Sequence, residues 1–336
     1  MGRKIRTAII GFGKMGLLHG ALANMHTDME LCAICEKTLF TRNAFKSVMK
    51  DIRFYSDFKK MIQKEHMDAV IITTPTFCHE EEVRYAAERN IAIFCEKPLA
   101  ATGTAAKELA DIVREKGIPS IVGFSNRFFP SISKGKEFVE KGAVGDIQSI
   151  RAEMYIGDVF KDNSGWRYNP EMSGGGALID FGIHMVDLLN WYFGRITTVE
   201  AVTASIYSKY VEDEASATIW FENGLKADFV TSWSKENYRK SSPIITIEGT
   251  EGRLVVTEQT IDMERTGSKE RITYPDLYKG NYVDVAGINY TLEMNAFVNE
   301  CRGIKSGMDI EQGAYIQRVI DAMYYSAKSK ERIVVE

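Results

Sequence analysis

Two domains of different class are written into this sequence: a doubly wound parallel α/β sheet of Rossmann type, then an α+β domain with an open, mostly antiparallel sheet. Three observations predict them. Over the first 120 or so residues, short apolar runs alternate with amphipathic ones, the pattern of a parallel sheet covered by helices. The first apolar run enters Gly11-Phe12-Gly13-Lys14-Met15-Gly16 directly. After Phe124 the strands alternate polar with apolar residues, and Glu222-Asn223-Gly224 and Gly249-Thr250-Glu251-Gly252 supply hairpin turns. The boundaries that follow are 1–123 and 124–336.

In the first domain, strands are expected at Ile5–Ile10, Leu31–Cys35, Ala69–Thr73, Ile91–Cys95 and Ser120–Gly123. Helices are expected at Gly16–His26, Thr41–Met49, Phe58–Lys64, Glu80–Arg89 and Thr102–Lys116. In the second, strands are expected at Arg151–Phe160, Thr198–Tyr207, Ala215–Phe221, Lys226–Trp233, Ile244–Glu248, Arg253–Thr257, Thr260–Arg265 and Glu270–Tyr274. Helical segments interrupt them at Ser131–Lys141, Gly176–Phe193, Asn289–Gly303 and Glu311–Ser329.

The 336 residues are 45% hydrophobic and carry a net charge of −4, so neither nucleic acid nor an anionic membrane is an expected partner. Arg3, Lys4 and Arg6 before an apolar stretch resemble a signal peptide, but Lys14 and His19 interrupt that stretch. Five cysteines fit a reducing, cytoplasmic address. Cys32 and Cys35, although spaced C-x-x-C, fall in a buried strand and read as packing residues.

The glycine motif carries the first chemical signal. In G-x-G-x-x-G the first glycine makes the tight turn, the second admits a pyrophosphate, and the third lets helix and strand close on each other. Backbone N–H groups at the helix start then face the anion, so Gly11, Phe12, Gly13, Lys14, Met15 and Gly16 form a candidate dinucleotide cradle. Glu36 lies 20 residues beyond Gly16 and ends the second strand, where a carboxylate accepts the ribose hydroxyls of NAD and repels the 2′-phosphate of NADP. NAD is therefore the expected cofactor, although Lys37 beside Glu36 is a cation that tolerates such a phosphate.

Ligands of such sheets bind beyond the carboxyl ends of the strands. Thr73, Thr74 and Pro75 leave one strand end, and Glu96, Lys97 and Pro98 leave the next. Lys97 reads either as a surface lysine or as a group presented at the cofactor crevice. His79 reads as a cofactor neighbour or as a helix-start histidine. Arg127 reads as the holder of a ligand anion or of a structural carboxylate. In the second domain Gly174-Gly175-Gly176 precedes Asp180 and His184, which share one face if that segment is helical. A carboxylate beside an imidazole makes a proton acceptor, and the glycines permit a ligand to approach the backbone. Asp187 is assigned a structural role. Trp166 and Arg167, in the loop before the glycines, form a candidate lid, and Tyr155 and Tyr282 are candidate pocket residues. No close-spaced metal-ligand motif appears.

Gly11–Gly16, Thr73-Thr74-Pro75-Thr76, Glu96-Lys97-Pro98 and Gly174–His184, taken in this order, resemble the Gfo/Idh/MocA oxidoreductases over essentially the whole chain. That family includes glucose–fructose oxidoreductase and inositol dehydrogenases. The resemblance implies hydride transfer between a nicotinamide and a secondary alcohol or ketone of a sugar, an inositol-like polyol or a sugar derivative. It maps Lys97, Asp180 and His184 onto the family's catalytic trio, His184 as the base. It also implies a homodimer or homotetramer assembled through the C-terminal sheet. Oxidation of a nucleotide-linked sugar, redox-neutral chemistry with tightly held NAD, and a non-catalytic NAD sensor are the alternatives. Lys97, Arg127, Trp166, Arg167, Asp180 and His184 are the expected substrate contacts.

Overall fold

The computed structural model describes residues 3–160, 164–238, 242–275 and 287–335. The chain divides into two compact units, Met1–Phe124 with Val285–Tyr315, and Ser125–Asp284 with Ile316–Glu336. In the first, the strands are β1 (Ile5–Ile10), β2 (Met29–Cys35), β3 (Arg53–Tyr55), β4 (Ala69–Ile72), β5 (Ala92–Cys95) and β6 (Ser120–Val122). They pair in parallel in the order β3-β2-β1-β4-β5-β6. Helices α1 (Lys14–Met25), α2 (Leu39–Val48), α3 (Phe58–Lys64), α4 (Thr76–Glu88) and α5 (Gly103–Glu115) connect them. Every residue of β4 and β5 is buried, which is why these strands read as unbroken apolar runs. The strand order reverses between β1 and β4, so the turns after these two strands flank the ligand crevice of this fold. β3 escapes the sequence pattern because it is three residues long and only half-buried at the sheet edge.

The second unit holds α6 (Pro130–Glu140), β7 (Ile147–Tyr155), α7 (Pro170–Ser173) and α8 (Ile183–Phe193). Its other strands are β8 (Ile196–Ala204), β9 (Glu214–Phe221), β10 (Lys226–Ser232), β11 (Ser242–Gly249), β12 (Gly252–Thr257), β13 (Thr260–Arg265), β14 (Ser268–Thr273) and β15 (Ile333–Val334). They form one sheet in the order β14-β13-β12-β11-β7-β10-β9-β8-β15. Every pairing is antiparallel except β7 with β10, so the sheet is mixed but mostly antiparallel. On one face α8 packs against β7, and α6 against β12 and β13. Strands such as β10 alternate exposed with buried residues, as a sheet covered on one face requires.

The sequence boundary needs one correction. It assigns every residue past 123 to the second domain, yet Val285–Tyr315 belongs to the first unit. Helix α9 (Ile288–Cys301) packs against α1 and β6 there. Its Phe297 ring meets Phe94 at 5.7 Å, and Asn295 Oδ1 lies 2.8 Å from His26 Nε2. Farther on, the Met308 carbonyl accepts the Val122 N–H at 2.8 Å. The last helix, α10 (Ile310–Ser329), follows. Among the described residues, no helix is long and apolar enough to cross a membrane.

Candidate active site

Each unit holds its own group of candidate residues. In the first, Gly11 adopts φ +87°, and its N–H donates to the Cys35 carbonyl at 2.8 Å. The Thr73 hydroxyl donates to the Gly11 carbonyl at 2.7 Å. A Cβ on Gly11 would lie 2.8 Å from Thr74 Cγ2, and one on Gly16 would lie 2.0 Å from the Gly11 oxygen. These two glycines are therefore required by the chain itself. Gly13 differs, because a Cβ there would meet nothing within 4 Å. No side chain caps α1 at Gly13, so its start offers N–H groups and the positive end of the helix dipole. Open space at the middle glycine over an uncapped helix start fits the pyrophosphate of NAD.

Glu36 is fixed before any ribose arrives. Its Oε2 accepts the Phe12 N–H at 2.8 Å and its Oε1 the Thr38 N–H at 2.7 Å. Burial pushes its carboxyl up, but these N–H donors, with Arg42 nearby, outweigh it and hold the group below its usual range. The Phe12 ring packs edge-on against Phe45, 5.0 Å between centroids, so only the backbone of Phe12 faces the turn chemistry. Lys14 is exposed and Met15 half-buried.

Lys97 is half-buried on the loop after β5, and Glu96 before it is braced from behind. His19 Nε2 lies 2.7 Å from Glu96 Oε1, while Oε2 accepts the Lys97 N–H at 3.2 Å. Glu293 on α9 is fully buried, and burial together with the Glu96 charge pushes its carboxyl well above the usual range. His79, which the sequence offers as a cofactor neighbour or a helix-start histidine, lies in the first turn of α4 between the two strand-end loops. It is 1% exposed, with Nδ1 2.9 Å from the Pro98 carbonyl and Nε2 2.8 Å from the Thr74 carbonyl. Burial lowers its basicity against the pull of both carbonyls, and a neutral ring donates to only one of them at a time. Pro75 is the N-cap of α4 and carries no capping side chain. Glu82, on the same helix, accepts a hydrogen bond from the Thr74 hydroxyl and is 4% exposed. Burial pushes its carboxyl up to about 7. Nothing in Glu80-Glu81-Glu82 distinguishes this buried acid from its neighbours by sequence alone.

In the second unit, Asp180 lies in a π-helical turn, Leu178–Gly182, that runs into α8, and His184 occupies the first turn of α8. Such turns hold one residue more than an α-turn and concentrate at functional sites. His184 is 8% exposed. Arg167 donates to Asp180 through Nε at 3.1 Å and through Nη2, and to Asp158 through Nη1 at 2.9 Å. The guanidinium lies over the Trp233 ring, 5.2 Å from its centroid. Arg167, expected as a substrate contact, is thus committed to two carboxylates, which hold its proton more firmly still. Asp158 gave no signal in the sequence.

Two further expectations are corrected. Arg127 is 5% exposed and forms a two-pronged pair with the buried Asp187, Nε to Oδ2 at 2.7 Å, so it holds a structural carboxylate rather than a ligand anion. The glycine triplet makes room for the protein rather than for a ligand. A Cβ on Gly175 would lie 2.1 Å from the Tyr324 hydroxyl, and one on Gly176 would lie 1.9 Å from the Glu212 carbonyl. Trp166 is half-buried in a 3-10 turn, Trp166–Tyr168. The Tyr155 hydroxyl donates to Glu153 at 2.7 Å, and Tyr282 lies outside the described residues.

A parallel sheet in this strand order with an uncapped glycine turn defines a dinucleotide-binding Rossmann domain, and comparison with known proteins agrees. Residues 5–124 match the oxidoreductase family described as an NAD-binding Rossmann fold, and residues 132–255 match the GFO/IDH/MocA C-terminal domain. The chain belongs to the Gfo/Idh/MocA family. It is 28% identical to D-glucoside 3-dehydrogenase of Escherichia coli (strain K12), over 98% of this chain and 97% of that protein. It is 30% identical to levoglucosan dehydrogenase of Pseudarthrobacter phenanthrenivorans, over 62% of this chain and 60% of that protein. A solved structure of levoglucosan dehydrogenase in complex with NADH has the same fold, with a TM-score of 0.89 at 24% identity, covering 99% of this chain and 100% of that one.

The glycines separate binding from folding. Gly16→Ala, driven against the Gly11 oxygen, is expected to lower stability by about 1–3 kcal/mol. Gly13→Ala should leave the unfolding midpoint unchanged yet weaken NADH binding about tenfold or more, measured by fluorescence titration. Wild-type affinity in Gly13→Ala would show that the pyrophosphate does not use this turn.

Glu82 makes stability depend on pH. Its ordinary value is near 4.5 and its folded value about 7. Across that window the folded protein keeps a proton that the unfolded chain has released, so stability falls as pH rises and levels off above about 7. At about 1.4 kcal/mol per pKa unit the loss is about 3 kcal/mol. Glu82→Gln, which mimics the protonated acid, should flatten this dependence and raise the thermal midpoint at about pH 8. A variant that melts below wild type at that pH contradicts the assignment.

Proposed function

We propose that this protein is an NAD-dependent dehydrogenase that oxidises a secondary hydroxyl of a sugar, an inositol-like polyol or a sugar derivative. The observation that carries the reading is the Asp158–Arg167–Asp180 cluster one turn before His184, in a chain with an NAD-type nucleotide turn. Carboxylates are hydrogen-bond acceptors, and two held on one guanidinium suit a ligand that donates, as hydroxyls do. The relatives named as D-glucoside and levoglucosan dehydrogenases support the substrate class.

In this reading His184 accepts the hydroxyl proton, and Asp180, held by Arg167, orients the substrate and favours the imidazolium. Lys97 donates a hydrogen bond to the reacting oxygen and offsets its developing charge. NAD, when bound, supplies the hydride acceptor. Gly11, Phe12, Gly13, Lys14, Met15, Gly16, Glu36, Thr73, Thr74, Pro75, Glu96 and Lys97 form the cofactor side, and Trp166 stands at the substrate side. The outward face of the C-terminal sheet is the proposed surface for a homodimer or homotetramer. The five free thiols favour a reducing, cytoplasmic setting.

A panel of sugars and polyols, each with NAD and with NADP, tests the proposal through the absorbance of released NADH. Turnover is expected with at least one neutral sugar or polyol and NAD. On that substrate His184→Ala should lower kcat by about 10²–10⁴-fold while NAD affinity stays within about twofold. Undiminished turnover in the variant removes His184 from the chemistry.

A further inference from the structure

The helical run that carries Asp180 and His184 starts without a local cap. Ala177 at its N-cap position offers no side-chain hydrogen bond. The first N–H groups of a helix have no partner within the helix and need one elsewhere. Glu212, 34 residues beyond Leu178, takes them. It is 9% exposed. Its carboxylate accepts the Gly176 N–H at 2.9 Å on each oxygen and the Leu178 N–H at 3.0 Å. Its backbone carbonyl accepts the Ala177 N–H between them at 2.9 Å. The Tyr324 hydroxyl on α10 donates to the same carboxylate at 2.7 Å. One residue therefore clasps three consecutive N–H groups, and the glycines are there because Glu212 and Tyr324 come so close.

We propose that Glu212 is a positioning residue for the dehydrogenase reaction, fixing the rotational phase at which the π-turn begins and through it the directions of Asp180 and His184. This rests on the reading that those two residues perform the chemistry. The phase is a real variable here. A π-turn and an α-turn differ by about one residue, so a slip at the start rotates a side chain by about 100° about the helix axis. A displacement of even about 1 Å at a reacting group costs about a hundredfold in rate. The clasp acts from outside the helix, which lets it fix the start without regard to what the neighbouring residues would prefer.

The test is Glu212→Gln in the full-length enzyme, with NAD and whichever sugar proves active. Glutamine keeps the shape but has one acceptor oxygen: placed as Oε1 it still takes Leu178 and Tyr324 while its amide N–H groups face the Gly176 donor, and turned the other way it opposes all three. Well below the unfolding midpoint, kcat per folded site is expected to fall about a hundredfold. NADH affinity should stay within about twofold. The deuterium isotope effect on kcat, with substrate labelled at the oxidised carbon, should rise as hydride transfer becomes limiting. A purely structural role would lower the melting temperature and leave kcat per folded site and the isotope effect at wild-type values, which overturns the proposal. If Glu212→Gln does not fold, Tyr324→Phe carries the test, with a smaller loss of kcat and the same rise in isotope effect expected; wild-type values there also overturn it. His184→Ala in the same assay separates the two readings. Retained turnover in His184→Ala sinks the catalytic assignment and this proposal with it, whereas its loss beside an unaffected Glu212→Gln sinks the positioning role alone.

Discussion

Carboxylates bound to backbone N–H groups fix several of the loops around this protein's candidate site residues. Glu36 holds the N–H groups of Phe12 and Thr38, and Glu212 those of Gly176 and Leu178. Asp213, fully buried, accepts from Ile206, Tyr207 and Ser208 at 2.9, 2.6 and 2.7 Å. Hydrogen bonds to an ionised acceptor are roughly twice as strong as neutral ones, and each buried N–H left without a partner costs about 1–3 kcal/mol. One acid that serves two or three donors therefore sets a loop's path more firmly than any local turn preference. Both helices that open a candidate site, at Gly13 and at Ala177, lack a capping side chain of their own. At the first the open start suits an incoming anion, and at the second the clasp substitutes for the cap.

The ion pairs do different work. Arg127 and Asp187 are both almost wholly buried and answer each other completely in charge. Replacing such a pair by apolar groups is often neutral, whereas removing one partner strands a charge, so its role is to hold one arrangement rather than to add stability. Arg167 instead faces two carboxylates, Asp158 and Asp180, and is a third exposed. The two acids are themselves mostly buried, so the cluster is held in one arrangement.

Much of the fold is legible in the sequence because burial writes itself into local composition. β1, β4 and β5 are covered on both faces and read as apolar runs, and β10 alternates because one face is open. β3 is too short and too exposed to leave a pattern. Helix α9 is amphipathic, but amphipathicity does not say which unit it covers, and Phe94 and Val122 decide that. The glycine spacing points to the nucleotide turn, and Asp180 and His184 stand out as a pair. What the sequence does not show is what lies opposite each polar side chain. His79, Arg127 and the glycine triplet are as consistent with a ligand contact as with the Pro98 carbonyl, Asp187 and Glu212 that the fold brings to them. Glu82, Asp158 and Glu212 carry no spacing signal, because their partners are set by tertiary packing.

The same reasoning bears on cofactor choice, where Lys37 pulls against Glu36. A carboxylate excludes a 2′-phosphate only if it cannot turn away, since a free glutamate side chain can rotate into solvent and let a neighbouring lysine neutralise the phosphate. Glu36 has no such freedom. Each oxygen is tied to a different backbone N–H, one in the glycine turn and one in the strand-end loop, and turning aside would break both bonds at once. The lowered proton affinity of the group keeps it charged throughout the neutral range. Each oxygen still has lone pairs for a ribose hydroxyl. Lys37 is exposed, and a lysine in water interacts weakly with charges beyond contact distance. The fixed charge therefore outweighs the mobile one, and the preference for NAD follows from the backbone hydrogen bonds that hold Glu36 in place.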